Sequence, residues 1–189
     1  MVAAAYRRFT EDGYSATPMD VIAKDAGVAV QTLYFTFRTK GELLQAAYEY
    51  AVEGPAPTPP HLSDWWRAAE EAPDVAAAMR LFVDGTMTVF ERAAPLVWTV
   101  LGDENTRRSY EYNDALRRAG YERAIAFLAT KHKLRPGLSV TRARDILLVV
   151  LGPQVYSQYT RDLGWTSQEV ADWITAALLE QLFGLNQGR

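Results

Sequence analysis

Between residues 29 and 40 the chain carries side chains suited to reading a nucleic-acid groove. Gln31 can bond an adenine edge, Thr32 offers an adaptable hydroxyl, and Phe35 presents an aromatic face to thymine methyl groups. Lys40 stands at the start of the next helical stretch, where its charge opposes the helix dipole. That placement makes chemical sense if a phosphate sits there, because the first-turn N–H groups point the same way. No comparable set exists for catalysis. There is no cysteine, and His61 and His132 lie far apart in different elements. Glu70-Glu71 and Asp103-Glu104 are adjacent pairs that read as solvated turns. Nucleophile elbows, phosphate-cradling glycine loops and metalloprotease motifs do not occur. The expectation is a protein that is not an enzyme and holds no metal or cofactor.

The elements that must position these residues read as helix throughout, so the expected fold class is all-α. A first helix covers Val2 to Asp12 and stops at Gly13. Thr17-Pro18 is expected to open a second, with threonine as N-cap, proline at the first helical position and Asp20 in the first turn. It ends at Gly27. A short helix then runs from about Val30 to Phe37, so Ala26-Gly27-Val28 forms the corner of a helix-turn-helix, with Ile22, Val28 and Leu33 packing the pair. Thr39-Lys40-Gly41-Glu42 reads as a capping box opening a helix that ends near Glu53, with Gly54 as its cap. Four prolines between Pro55 and Pro60 rule out helix there and mark the boundary. The expected domains are therefore 1–53 and 54–189.

The first 50 residues resemble the DNA-binding domain of the tetracycline-repressor (TetR) family. The resemblance rests on Phe9, Gly13-Tyr14, Ala16-Thr17, Ile22-Ala23, Ala26-Gly27-Val28, Thr32-Leu33-Tyr34, Phe37, Lys40 and Leu43-Leu44. It implies a homodimeric, repressor-like regulator whose N-terminal domains enter successive major grooves of a palindromic double-stranded operator. By position, Thr17, Tyr34 and Lys40 would contact phosphate, and Gln31, Thr32 and Phe35 would face bases. Two departures stand out. The family carries a basic lead-in before the first helix, and here the chain starts inside that helix. Residues 1–50 hold five basic side chains (Arg7, Arg8, Lys24, Arg38, Lys40) against six acidic ones (Glu11, Asp12, Asp20, Asp25, Glu42, Glu49). This leaves two readings: a lead-in absent from this sequence, or modest affinity backed by dimer avidity. The usual serine cap of the recognition helix is Ala29.

The remainder is helical and rich in aromatics. Val75, Ala78, Met79, Phe82, Val83, Thr86 and Phe90 follow one helical face, and Pro95 to Leu101 is expected to be a separate short helix. A long helix is expected from Asn105 to Lys131, and a stripe at Ala143, Ile146, Leu147, Val150 and Leu151 stops at Gly152-Pro153. Thr166 and Glu169 form a capping box for the last helix. An effector pocket, which the resemblance implies, would draw on Phe82, Thr86, Phe90, Trp98, Tyr110 and Tyr156, suiting a bulky and largely apolar molecule. Asp103, Glu104 and Arg107 could select its charge. The stripe Trp173, Ile174, Ala177 and Leu178 is the candidate dimer interface. With 189 residues, 49% hydrophobic and a net charge of −3, the chain can bury a core and carries no global basic surface. No apolar run is long enough for a bilayer and no secretory leader is visible, so a cytoplasmic protein is expected. The rival reading is a helical small-molecule-binding protein that does not bind DNA.

Overall fold

Glycines with positive φ mark where the helices turn. The computed structural model describes residues 1–54, 57–101 and 106–185, with 98–101 as backbone alone, and these are helical with no strand among them. Among the described residues ten α-helices follow in order: α1 (Val2–Glu11), α2 (Met19–Asp25), α3 (Val30–Thr36), α4 (Lys40–Glu53), α5 (Asp64–Glu71), α6 (Val75–Leu101), α7 (Arg107–Lys131), α8 (Val140–Val150), α9 (Pro153–Ser157) and α10 (Ser167–Leu178). Pro55, Ala56, Asp103, Glu104, Asn105 and the Trp98 side chain lie outside the described residues.

The helices form two compact units. One comprises Met1–Pro57 with Arg92–Asn113, the other Thr58–Glu91 with Asp114–Arg189. In the first, Ala5, Phe9, Ile22, Leu33, Leu43, Leu44 and Ala47 form a buried core, with Ala93 and Leu96 of α6 joining it. The α2–α3 corner is a Schellman turn. Val28 N donates to Ala23 O and Gly27 N to Lys24 O, with Gly27 at φ 67°. A side chain at that φ would strain the corner, whereas glycine takes it at no steric cost.

In the second unit, Trp65, Trp66, Phe82, Tyr121 and Phe127 bring α5, α6 and α7 together through rings 5.4–6.1 Å apart. The Trp65 indole lies so close to Gly85 that an added Cβ would come within 2.2 Å of the ring. Gly85→Ala is therefore expected to push the indole away and to cost about 1–3 kcal/mol by overpacking. Alanine's better helix propensity returns less than about 1 kcal/mol of that. Urea unfolding followed by tryptophan fluorescence checks this, and an unchanged midpoint would show that the indole moves aside freely.

Lys131 Nζ donates to the carbonyls of Glu70 and Ala72 at 2.7 and 2.6 Å, closing the C-terminal end of α5. Arg80 of α6 pairs with Asp172 of α10 at 2.5 Å. The expected capping box at Thr166 and Glu169 is formed in both directions.

One expected break is absent. Pro95 sits inside α6, which runs unbroken for 27 residues, instead of starting a separate short helix. Proline removes one ladder hydrogen bond, but Ala93, Ala94, Leu96 and Val97 are all buried around it. Their packing outweighs the loss.

Candidate nucleic-acid interface

The third helix is short, seven residues, and only Leu33 of it is buried. Leu33 and Ile22 are fully buried and lock α3 onto α2, and the half-buried Val30 packs against the same core. Gln31, Thr32, Tyr34, Phe35 and Thr36 are exposed, Phe35 at 90% and Tyr34 at 49%. An aromatic ring left almost wholly in water is a poor choice for stability and a good one for a surface that becomes covered. Ala29 caps α3 without a side-chain hydrogen bond.

Thr17 occupies a different place from the one expected. It is 1% exposed, and its hydroxyl donates to Gly13 O at 2.7 Å and Arg8 O at 3.3 Å. Pro18, not Thr17, takes the N-cap position of α2, with no side-chain cap. The hydroxyl cannot cap α2 because it is turned back to the end of α1. With Gly13 at φ 86°, it closes the α1–α2 turn.

The start of α4 also differs in detail. Thr39 accepts from Glu42 N, as expected, but the Glu42 carboxylate accepts from Arg38 N instead of from Thr39. Lys40 is half-buried, and its ammonium lies 4.4 Å from the centroid of the Tyr14 ring. Tyr14 is itself buried and packs on Phe9 at 5.4 Å. The sequence drew attention to Lys40; Tyr14 stood out only through the glycine before it.

Charge is distributed unevenly over this unit. Arg8 pairs with Asp25 at 2.5 Å and Asp12 at 3.1 Å, and Arg7 approaches Asp25 at 3.5 Å. The Arg8 guanidinium holds the Asp25 carboxyl below the usual carboxylate range. The stability this pair adds is present at neutral pH and is lost as pH falls through that lowered value. Lys24 and Arg38 remain exposed beside the α2–α3 pair.

The other end of α4 is tied to α6 and α7. Arg92 Nε and Nη2 donate to Ala51 O and Val52 O at 2.9 and 3.3 Å, and Tyr6 Oη donates to Arg92 O at 2.9 Å. Ser109 Oγ and Asn113 Nδ2 donate to Gln45 Oε1 at 2.5 and 3.0 Å. No local sequence signal exposes these bonds, because the partners lie 40 or more residues apart.

Phe90 and Tyr156 meet at 5.8 Å between ring centroids. Burial raises the Tyr156 hydroxyl above the ordinary phenol range. Phe82 belongs to the aromatic cluster, and the buried Thr86 hydroxyl donates to Phe82 O at 2.8 Å. Tyr110 packs against the core of the first unit. Arg107 pairs with Glu111 at 2.9 Å.

Of the candidate dimer stripe, Ile174 and Leu178 are fully buried within the chain's own core. Trp173 is 39% exposed, with its ring 5.0 Å from Tyr159, and Ala177 is half-buried. On α8, Val149 is exposed. Among the described residues no group of three or more histidines or carboxylates could hold a metal ion. No described helix is long and apolar enough to cross a membrane.

Residues 1–47 match the family model of bacterial regulatory proteins, tetR family. These residues form a TetR-family N-terminal domain. No curated protein matches the chain. Solved structures do. The fatty acid degradation regulator FadR of Bacillus halodurans superposes with a TM-score of 0.74 at 19% identity, covering 94% of this chain and 92% of that one. FadR of Bacillus subtilis, in complex with stearoyl-CoA, gives 0.74 at 16% identity over 95% and 96%. PfmR of Thermus thermophilus, a TetR-family transcriptional regulator, gives 0.67 at 22% identity over 100% and 98%. At these identities the likeness is one of fold, and it extends the TetR-like helical arrangement beyond the matched domain.

Proposed function

We infer that this chain is a ligand-responsive transcriptional repressor, not an enzyme. It binds a palindromic operator as a homodimer and leaves it when a small, largely apolar effector binds. The observation that carries this reading is α3, whose Gln31, Thr32, Tyr34 and Phe35 face solvent around the single buried Leu33, next to the α4 start at Lys40. Residues 1–53 would act as the DNA-binding domain, and residues 54–189 as the effector and dimerisation domain. Such a protein works in the cytoplasm. Within the second domain, Phe90 and Tyr156 are the candidate pair for effector contact, with the part-exposed Trp173 and Ala177 of α10 toward a second copy. Because the B. subtilis FadR structure holds stearoyl-CoA, long-chain acyl thioesters are the first effectors to try.

Selection of bound fragments from random-sequence DNA at about 0.1 M salt tests this directly. A palindromic motif that weakens with acyl thioester is the expected result, and no enriched motif would favour a ligand-binding protein that does not bind DNA. The slight acidic excess of residues 1–50, five basic side chains against six acidic, is what keeps that second reading in view. Lys40→Ala should weaken binding to all sequences and lower the salt slope by about one unit. Gln31→Ala should relax preference at one base position at a cost of about 1–3 kcal/mol. Uniform weakening by Gln31→Ala, or an unchanged slope for Lys40→Ala, would remove each from its role.

A further inference from the structure

We propose that Tyr14 is a positioning residue for DNA binding: its buried ring holds the Lys40 ammonium at the start of α4, where that charge and the first-turn amides converge on one phosphate. This rests on the DNA-binding reading above.

The geometry makes the case. A lysine in the first turn of a helix is repelled by the positive end of the helix dipole, and its four-carbon stem leaves the ammonium many positions in water. Here the ammonium lies 4.4 Å from the centre of an electron-rich ring, well within the range of cation–π attraction. The ring cannot follow the ammonium outward. Tyr14 is 8% exposed and is wedged against Phe9. Its hydroxyl lies along the first turn of α4, so that a Cβ added at Gly41 would be 3.9 Å from it. The turn that delivers the ring is fixed on both sides, by Gly13 at φ 86° and by the Thr17 hydroxyl on Gly13 O. Thr17 thus acts on this site through Tyr14. A residue needed only to fill the core beside Phe9 would have no requirement for a negative ring face beneath a lysine.

The test replaces Tyr14 by phenylalanine and then by progressively fluorinated phenylalanines, which keep the shape while draining the negative charge from the ring face. The probe is a labelled random-sequence duplex of about 20 base pairs, titrated at several salt concentrations in the full chain. Tyr14→Phe is the reference against which the fluorinated rings are compared. Fluorination should then weaken binding by roughly threefold to tenfold in all and lower the salt slope by as much as about one unit. In a Lys40→Ala background the same series should be flat. Equal losses in both backgrounds would show that the ring only packs, and a flat series in the parent would show that it does not hold the ammonium; either overturns the proposal. Any loss of folding stability enters both backgrounds alike and cancels in the comparison. A parent chain that binds no DNA overturns the DNA-binding reading and this one together, whereas DNA binding with a flat series overturns this one alone.

Discussion

Phe82→Ala is expected to destabilise the second unit by about 3–5 kcal/mol, the range for emptying a phenylalanine site in a packed core. Phe82 is fully buried, and its ring touches Trp65, Trp66, Tyr121 and Phe127 at centroid separations of 6.0, 5.4, 5.9 and 6.1 Å. These neighbours come from α5 and α7, so a truncated side chain leaves a void walled by three helices. Indole and phenyl rings are too stiff to close it. Ring pairs of this kind each contribute about 0.5–1.5 kcal/mol beyond area burial, and four, three of them edge-to-face, are lost at once. Equilibrium urea unfolding of the variant measures the cost. A loss below about 1 kcal/mol would show that the cluster collapses onto the gap, and would return Phe82 to the effector candidates as a residue with room around it.

That prediction turns on a distinction that periodicity alone does not make. Phe82, Thr86 and Phe90 share one face of α6 by spacing, and spacing tells core from pocket no better than it tells core from interface. The structure separates them, because Phe82 meets rings of α5 and α7 and Phe90 meets Tyr156 of α9. The same ambiguity governs the last helix. Trp173, Ile174, Ala177 and Leu178 form one apolar stripe whichever surface covers it. Only the fold shows that Ile174 and Leu178 are covered by their own chain. The N-terminal helices were more legible, since their stops are local chemistry. Gly13, Gly27 and Gly54 have φ of 86°, 67° and 83°, values that glycine adopts without strain, and each ends a helix where the sequence placed an end. Thr17 shows the limit of local rules. Threonine before proline reads as a cap, but a hydroxyl can bond backward as well as forward, and the end of α1 lies within its reach. Pro95 shows the converse, a strong local breaker overruled by buried neighbours that belong to the first unit's core.

Arg92→Ala is expected to cost the first unit about 2–4 kcal/mol and to loosen the last turn of α4. That helix has no basic residue of its own near its C-terminus, where the dipole is negative and the final carbonyls lack partners. Arg92 supplies what is missing from another helix: its guanidinium donates to Ala51 O and Val52 O, and Ala51 is 1% exposed. Charge-assisted bonds of this type are worth about 1.5–3 kcal/mol, and leaving a buried carbonyl without its donor adds the desolvation that the bond had offset. The Tyr6 bond goes to the Arg92 backbone oxygen, so the substitution leaves it in place. Hydrogen exchange should therefore quicken at the α4 C-terminus before it quickens at α1. Arg92→Lys keeps the charge but not the planar fork, and should recover about half of the loss. Because α4 begins at Lys40 and ends at this clamp, a frayed end should also weaken operator binding in step with stability. If Arg92→Ala melts like the parent chain and exchange at α4 is unchanged, the clamp does not hold that helix.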